Sequence, residues 1–415
     1  MTSKYQSVRG TRDLLPELKA QFRAVENVAY KTSLNYGFKE IETPMFEFSD
    51  VFHRSLGETS DAVSKETYTF MDRGGDSITL RPEGTAGVVR AYVSEGLAQS
   101  NPNKFYYFGP MFRYERPQRG RYRQFYQFGA EVLGLEHPLA DVECLDFGYN
   151  ILQQLGLSSS CLLEINTLGD QTSRTNYRKA LTDYLTPLKS QLSADSLLRL
   201  EKNPLRILDS KDDGDKKLVA SAPLFSDFLN DDSKKFFKQV LEGLKLLEIP
   251  YQVNPKLVRG LDYYCHTVFE FVTTDLGAQG AVLAGGRYDG LAETLGGQAT
   301  PGVGWASGVD RLVDLIDIKK SYKIPEVMAP ISVIAHGDSA LIKAEIIAAG
   351  LRRKNKRCEV FLTGNFKKKL EKANKIGTTK AIMIFEQDGG KFEYKIKDFI
   401  SGEEKIVEES ALQDI

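Results

Sequence analysis

Cysteine is scarce. Cys144, Cys161, Cys265 and Cys358 are the only four in 415 residues, and they form neither a CxxC pair nor the spacing of a stapled scaffold. A disulfide framework is therefore excluded, and a reducing compartment is expected. Histidine is equally rare: His53, His137, His266 and His336 show no metal-ligand spacing. No structural zinc and no metal held by protein side chains is expected. There is no run of about eighteen apolar residues, so no membrane partner is expected. The opening stretch MTSKYQSVRGTRDLLPE has no apolar signal core, which points to a cytoplasmic chain. An excess of one charge is also missing. The formal net charge is −1, so any nucleic-acid contact must come from a local basic patch. Internal repeats and low-complexity tracts do not occur.

What the chain does have is length for two or three domains and one concentrated basic segment. Arg113, Arg116, Arg119, Arg121 and Arg123 fall within eleven residues, opposed only by Glu115. Aromatic residues interleave with them: Tyr114, Tyr122, Phe125, Tyr126 and Phe128. Both flanks read as strands, and residues 115–120, with Pro117 and Gly120, read as a turn. The result is a β-hairpin presenting guanidinium forks and aromatic faces, a surface suited to a polyphosphate, a nucleobase or an RNA end. The plainer reading is a solvated basic hairpin. Against it, the arginines sit inside an aromatic strand pair rather than on a polar tail.

Elsewhere, Leu18, Phe22, Val25 and Ala29 repeat at helical spacing between Pro16 and Gly37. Residues 38–48 alternate as a strand, and Pro44 within it makes that strand an edge or interface element. Residues 77–81 read as a strand, followed by the turn RPEGT and a helix over 86–95. Residues 171–235 turn polar with helical spacing, which reads as a helical insertion between two β-rich halves. Strands return near 253–257, 267–272 and 281–284, with a helix at 308–316. After a linker the pattern is β-α-β-α-β-β. Its strands are 331–335, 358–362, 381–386 and 392–396, and its helices are 339–355 and 366–376. The expected division is 1–170, first part of the core; 171–240, insertion; 241–322, second part of the core; 323–330, linker; and 331–415, a small α/β domain.

Several motifs are specific. They are VRGTRDLLP at 8–16, TLRPEGT at 79–85, INTLGD at 165–170 and NPLRILDSKD at 203–212. LVRGLDYYCHTVFEF at 257–271, AGGRYDGL at 284–291 and GVGWASGVDRL at 302–312 complete the set. In this order, over nearly the whole chain, they resemble the histidyl-tRNA synthetase family of class II aminoacyl-tRNA synthetases. The resemblance implies an α+β fold. It consists of a catalytic domain with a six-stranded antiparallel sheet flanked by helices, a helical insertion and a C-terminal α/β anticodon-binding domain. It also implies a homodimer built on the helix after Pro16 and the strand containing Pro44, whose Ile41, Met45, Phe46 and Phe48 need cover.

The implied reaction has two steps. Histidine is activated with ATP, which brings Mg²⁺, and is then passed to the 3′ end of the histidine tRNA. An ionised carboxylate attacks in the first step, so that step needs no general base. It needs positioning and charge cancellation. By resemblance Arg113 and Arg259 grip the α-phosphate, with Arg259 standing where other class II enzymes use a metal ion. Arg121 and Arg311 reach the γ-phosphate, Phe125 and Arg311 sandwich the adenine, and Glu115 belongs to the ATP site. Glu131 and Tyr264 are placed on the imidazole, and Glu83, Thr85 and Gln127 near the α-ammonium. By resemblance Arg259 and Tyr263 are also counted with the histidine-binding residues, although strand alternation points Tyr263, beside Tyr264, to the opposite face, as core or rim. Arg116 and Gln118, at the hairpin tip, are expected to read the tRNA acceptor end.

Gly285, Gly286 and Gly290 fit a tight backbone close to substrate. Gly302, Gly304 and Gly308 have the wrong spacing for a dinucleotide fingerprint. Two departures from the family pattern are Asp310, where many members carry Glu, and Trp305. In the last domain Arg352, Arg353, Lys354, Lys356, Arg357, Lys367, Lys368, Lys369, Lys372 and Lys375 face only Glu359 and Glu371, as expected for binding anticodon-stem phosphates. Two rivals share the fold class. One is the non-catalytic, histidine-binding regulatory paralogue of ATP phosphoribosyltransferase. The other is a prolyl, threonyl or glycyl synthetase.

Overall fold

The structure is a computed structural model that describes residues 5–56, 66–259, 263–277, 280–325 and 328–415. Gly260, Leu261 and Asp262 of the RGLDYY motif lie outside the described residues. The chain divides into two units, Met1–Ile324 and Pro325–Ile415.

The first unit opens with α1 (Pro16–Asn35). Proline at its first turn is compatible with a missing N–H, and Phe22, Val25 and Ala29 form its buried stripe. Short elements follow: β1 (Lys39–Glu40), β2 (Phe46–Phe48), α2 (Ser49–Leu56), β3 (Tyr68–Met71), β4 (Ser77–Leu80) and α3 (Thr85–Ser94). The basic hairpin is β5 (Asn103–Phe112) and β6 (Gln124–Leu133), followed by α4 (Leu139–Gln154) and β7 (Leu162–Thr167). The insertion is helical: α5 (Gln171–Leu185), α6 (Ala194–Lys202), α7 (Asp213–Val219) and α8 (Asp231–Leu246). The chain then returns through β8 (Tyr251–Val253), β9 (Cys265–Val272), β10 (Ala281–Arg287), α9 (Leu291–Thr294), β11 (Gly302–Gly308) and α10 (Val309–Lys319).

Eight strands form the main sheet in the order β1-β5-β6-β11-β10-β9-β7-β8. The six inner strands pair antiparallel throughout, as the resemblance implies. The two edge strands, β1 and β8, are added in parallel. Behind the sheet lies an aromatic core. Trp305 donates its indole N–H to Cys144 O at 2.9 Å and meets Phe128 edge-on at 5.0 Å between ring centroids.

The expected single strand over 38–48 is instead two. β1 joins the main sheet beside β5, whereas β2 joins a separate sheet, β2-β4-β3. Pro44 falls between them, where it interrupts no ladder. The buried Arg81 guanidinium pins the crossing by donating to Thr43 O at 2.7 Å and Pro110 O at 2.9 Å. Sequence reading also missed β7, β11 and α4. Glycine lowers strand propensity, so GVGWASG does not read as a strand. Here it is central, and its glycines permit close packing. A Cβ on Gly304 would collide with Glu131 and with Ala130 O, and one on Gly285 with Gly304 O.

The insertion is tied to the core at two helix N-termini. Asp170 caps α5 through Ser173 N–H at 2.8 Å, Asn230 caps α8 through Ser233 N–H at 2.9 Å, and the Asn230 amide donates to Asp170 at 2.7 Å.

In the second unit β12 (Ile331–His336), α11 (Asp338–Arg353), β13 (Cys358–Val360), α12 (Phe366–Lys375), β14 (Lys380–Gln387) and β15 (Lys391–Asp398) follow the expected order. A further strand, β16 (Glu404–Val407), completes the sheet β13-β12-β14-β15-β16. Among the described residues no helix is long and apolar enough to cross a membrane.

Candidate active site

A cleft of about 270 Å³ opens over the sheet where β6, β9, β10 and β11 run side by side. One end is acidic and phenolic. Glu83 sits in the turn before α3, and its two oxygens accept the N–H groups of Thr85 at 2.7 Å and Ala86 at 2.9 Å. The helix N-terminus thereby fixes the carboxyl group. The Thr85 hydroxyl turns the other way and donates to Glu131 at 2.7 Å. Glu131, on β6, is fully buried and takes its second hydrogen bond from the Tyr288 hydroxyl. Burial pushes the Glu131 carboxyl up to about 8, against the two hydroxyl donors that pull it down. Burial raises Glu83 as well. Gln127 lines the same wall, and among the described residues its buried Oε1 finds no partner.

Tyr264 and Tyr263 close this end. Their ring centroids are 4.5 Å apart, and both line the cleft. Alternation therefore misplaces Tyr263. It precedes β9, so strand alternation does not govern its direction.

The other end is cationic. Arg113, one residue past β5, donates to Pro82 O at 2.8 Å and lies 5.2 Å from the Phe125 ring centroid. Glu115 stands between Arg113 at 3.7 Å and Arg121 at 3.2 Å. Arg311 enters from α10, donates to Ala281 O at 2.7 Å and lines the same cleft as Phe125. Arg259 comes from the opposite side and pairs with Glu270. Burial works against the Arg259 charge, and Glu270 more than restores it. Glu270 was not foreseen. It reads as an ordinary strand position until β9 is seen to form the cleft wall.

The hairpin tip projects away. Arg116 and Gln118 are exposed, and Gln118 closes the turn by exchanging backbone hydrogen bonds with Arg121 at 3.2 and 2.9 Å. The base of the loop is held by the chain's opening segment. Gly10 O accepts from Arg123 N–H at 2.7 Å, and Arg12 stacks on Tyr122 with its guanidinium carbon 4.0 Å from the ring centroid. Arg12 also pairs with Asp310 at 2.7 Å, while Asp310 accepts Tyr126 N–H at 2.9 Å. Asp310 is thus committed to protein partners. Gly285 and Gly286 allow close packing at the cleft floor. Gly285 clears β11, Gly286 clears the Tyr264 ring, and Gly290 faces open space. Among the described residues no cluster of His, Cys, Asp and Glu could hold a metal ion.

An antiparallel six-strand floor under a cleft that is arginine-rich at one end and acidic and phenolic at the other matches the class II aminoacyl-tRNA synthetase architecture. Within that class the chain belongs to the histidyl-tRNA synthetase family, whose model matches residues 10–312. It is 50% identical to the histidine–tRNA ligase of Gluconobacter oxydans over 405 residues, 98% of this chain and 96% of that one. It is also 50% identical to the Rhodospirillum rubrum histidine–tRNA ligase over 409 residues, 99% and 98% of the two chains. The crystal structure of apo Staphylococcus aureus histidyl-tRNA synthetase superposes with a TM-score of 0.84 at 36% identity, covering 99% of each chain.

Proposed function

We infer that the chain is a histidine–tRNA ligase, which forms histidyl-adenylate and pyrophosphate from histidine and ATP and then esterifies the histidine tRNA. The observation that carries this reading is the polarity of one cleft: four arginines, Arg113, Arg121, Arg259 and Arg311, share it with Glu83, Thr85 and Tyr264, and Glu131 lies beneath its wall, bonded to Thr85.

Histidine enters with its imidazole toward Glu131 and Tyr264, a carboxyl group and a phenol that bond the two ring nitrogens. Tyr263 packs beside that ring. Its ammonium meets Glu83, Thr85 and the open Oε1 of Gln127. The carboxylate then faces the α-phosphate. Arg113 and Arg259 neutralise the phosphoryl oxygens as the carboxylate attacks phosphorus and the bond to pyrophosphate breaks. For Arg259 this means exchanging Glu270 for phosphate. Adenine stacks between Phe125 and Arg311 within reach of Glu115, and Arg121 and Arg311 hold the γ-phosphate. Mg²⁺ arrives as part of the ATP substrate. In the second step a ribose hydroxyl of the tRNA attacks the acyl carbon, and AMP leaves. Arg116 and Gln118 meet the acceptor end, and the basic face of the second unit meets anticodon-stem phosphates. The chain works as a cytoplasmic homodimer.

The test is histidine-dependent exchange of pyrophosphate into ATP. Arg259→Ala should nearly abolish it while circular dichroism stays unchanged, because about 3–4 kcal/mol of transition-state stabilisation is lost with one such donor. Exchange within about threefold of the parent would overturn the assignment of Arg259. No histidine-dependent exchange in the parent would overturn the reaction.

A further inference from the structure

Behind the histidine end of the cleft lies a tyrosine that neither step of the reaction touches. Tyr107, on β5, pairs in register with Gly129 on β6, so it rises from the same face of the sheet as Gln127 and Glu131. It is 5% exposed and packs in one apolar cluster with Tyr264 and Tyr288, but it does not line the cleft. Two glycines make room for the end of its ring. A Cβ on Gly84, in the turn before α3, or on Gly129 would collide with the phenol, ring carbon and hydroxyl alike. Neither glycine has a positive φ. Backbone conformation therefore does not call for glycine at either place, and the tyrosine does.

The hydroxyl that these glycines admit is buried, and among the described residues it makes no well-formed hydrogen bond. Its polar neighbours are Glu131, Glu83, Thr85 and Tyr264, the groups that surround an incoming histidine. An unmet buried hydroxyl is costly, and phenylalanine would fill the same space without that cost. The carboxyl oxygens of Glu83 and Glu131 each already hold a donor. Thr85 has one hydroxyl proton and spends it on Glu131 at 2.7 Å, which leaves its two lone pairs. A bond between the two hydroxyls therefore has one possible direction, from Tyr107 to Thr85.

We propose that Tyr107 is a positioning residue for histidine, donating to Thr85 once the amino acid is bound. One Thr85 lone pair is then taken by Tyr107 and the Thr85 proton by Glu131, which aims the other lone pair at the α-ammonium. A single hydroxyl so couples the two ends of the amino acid, the ammonium on Thr85 and the imidazole on Glu131. The proposal rests on the ligase reading and adds a residue that acts on histidine without touching it.

The experiment compares full-length Tyr107→Phe with the parent. The variant keeps the ring that fills the space beside Gly84 and Gly129 and removes only the hydroxyl. Three readings are taken: the melting temperature without ligand, the KM values for histidine and ATP in pyrophosphate exchange, and the calorimetric affinity for histidinol. Histidinol carries the imidazole and the ammonium but cannot react. The unliganded variant should melt at the parent's temperature or above, because a buried unmet hydroxyl is gone. Histidine KM should rise about tenfold and histidinol affinity should fall by the same factor, with kcat and ATP KM within about twofold of the parent. A purely structural tyrosine would not yield a protein that is no less stable and yet binds histidine more weakly. Histidine KM and histidinol affinity both within about twofold of the parent would overturn the proposal. So would a lowered melting temperature with histidine and ATP KM rising together, which would leave Tyr107 as a support of the fold alone. Absence of histidine-dependent exchange in the parent would instead count against the ligase reading, and histidinol affinity would still decide the role of Tyr107.

Discussion

Glu131 is buried, and among the described residues no cation contacts it. Its bonded neighbours are two hydroxyls, from Thr85 and Tyr288, and Glu83 lies nearby. A carboxyl held at about 8 in the folded protein binds a proton that the unfolded chain releases near its ordinary value. Between those two values the folded state carries the extra proton, so stability falls as pH rises and levels off above about 8. Glu131→Gln removes the titration. Its melting temperature relative to the parent should therefore climb between about pH 5 and about pH 8 and then stay constant. A pH-independent difference would refute the buried, unpaired carboxyl. Tyr288→Phe removes one of the two donors that orient this group, and an unmet buried acceptor costs about 1–3 kcal/mol. Histidine KM should rise about tenfold while ATP KM stays near the parent value. Equal changes in both would show that Tyr288 acts on the whole cleft. That Arg113, Arg259 and Glu83 come together in one cleft was legible because each lies in a specific motif. Tyr288 was not, because its partner is 157 positions away and a tyrosine in a strand-and-turn run reads as packing.

Among the elements, the hairpin was the most legible. Its strands are long and aromatic, and its turn carries proline and glycine, so local chemistry fixes β5 and β6 almost residue by residue. The stretch over 38–48 was misread because its alternation continues through Pro44 while the chain changes sheets, a change enforced by Arg81 from elsewhere in the sequence. β11 was missed because its glycines serve long-range packing rather than local propensity. That reading makes Gly304→Ala a severe change, since the new methyl meets Glu131 and the Ala130 carbonyl. Overpacking costs about 1–3 kcal/mol, so the urea midpoint should drop at constant m-value, and a drop under about 0.5 kcal/mol would contradict the close approach. The opening segment matters in another way. Arg12 neutralises the nearly buried Asp310 and packs on Tyr122 at the base of the loop. Arg12→Ala should leave a buried carboxylate unpaired and loosen the loop, raising ATP KM more than histidine KM. A histidine-selective defect would place Arg12 with the wrong substrate.

At the scale of the whole molecule, β2 presents an inversion. Glu47 is buried and held by the Arg90 guanidinium at 2.6 Å, whereas its neighbours Phe46 and Phe48 are 54% and 61% exposed. On the same small sheet Phe70 and Met71 are 48% and 64% exposed, and Met45 just before it is 47% exposed. Scattered exposed apolar side chains are ordinary, but several on one short sheet form a patch that isolated proteins seldom leave in water. The buried charge pair also shows that the strand's direction is specified, since slipping by one residue would bury the phenylalanines and strand Glu47 in solvent. A specified strand that turns its aromatic side outward is suited to an interface. A second copy of the chain is the simplest partner, because a two-fold axis lets one such surface cover its equal. The chain should therefore sediment as a dimer of 46.5 kDa subunits at micromolar concentration. Phe46→Glu with Phe48→Glu should shift it toward monomer. These positions are exposed in the single chain, so its far-UV spectrum should be retained. A parent that sediments as a monomer at every accessible concentration would rule out the dimer, and a double variant that unfolds would show that the patch belongs to the subunit's own core.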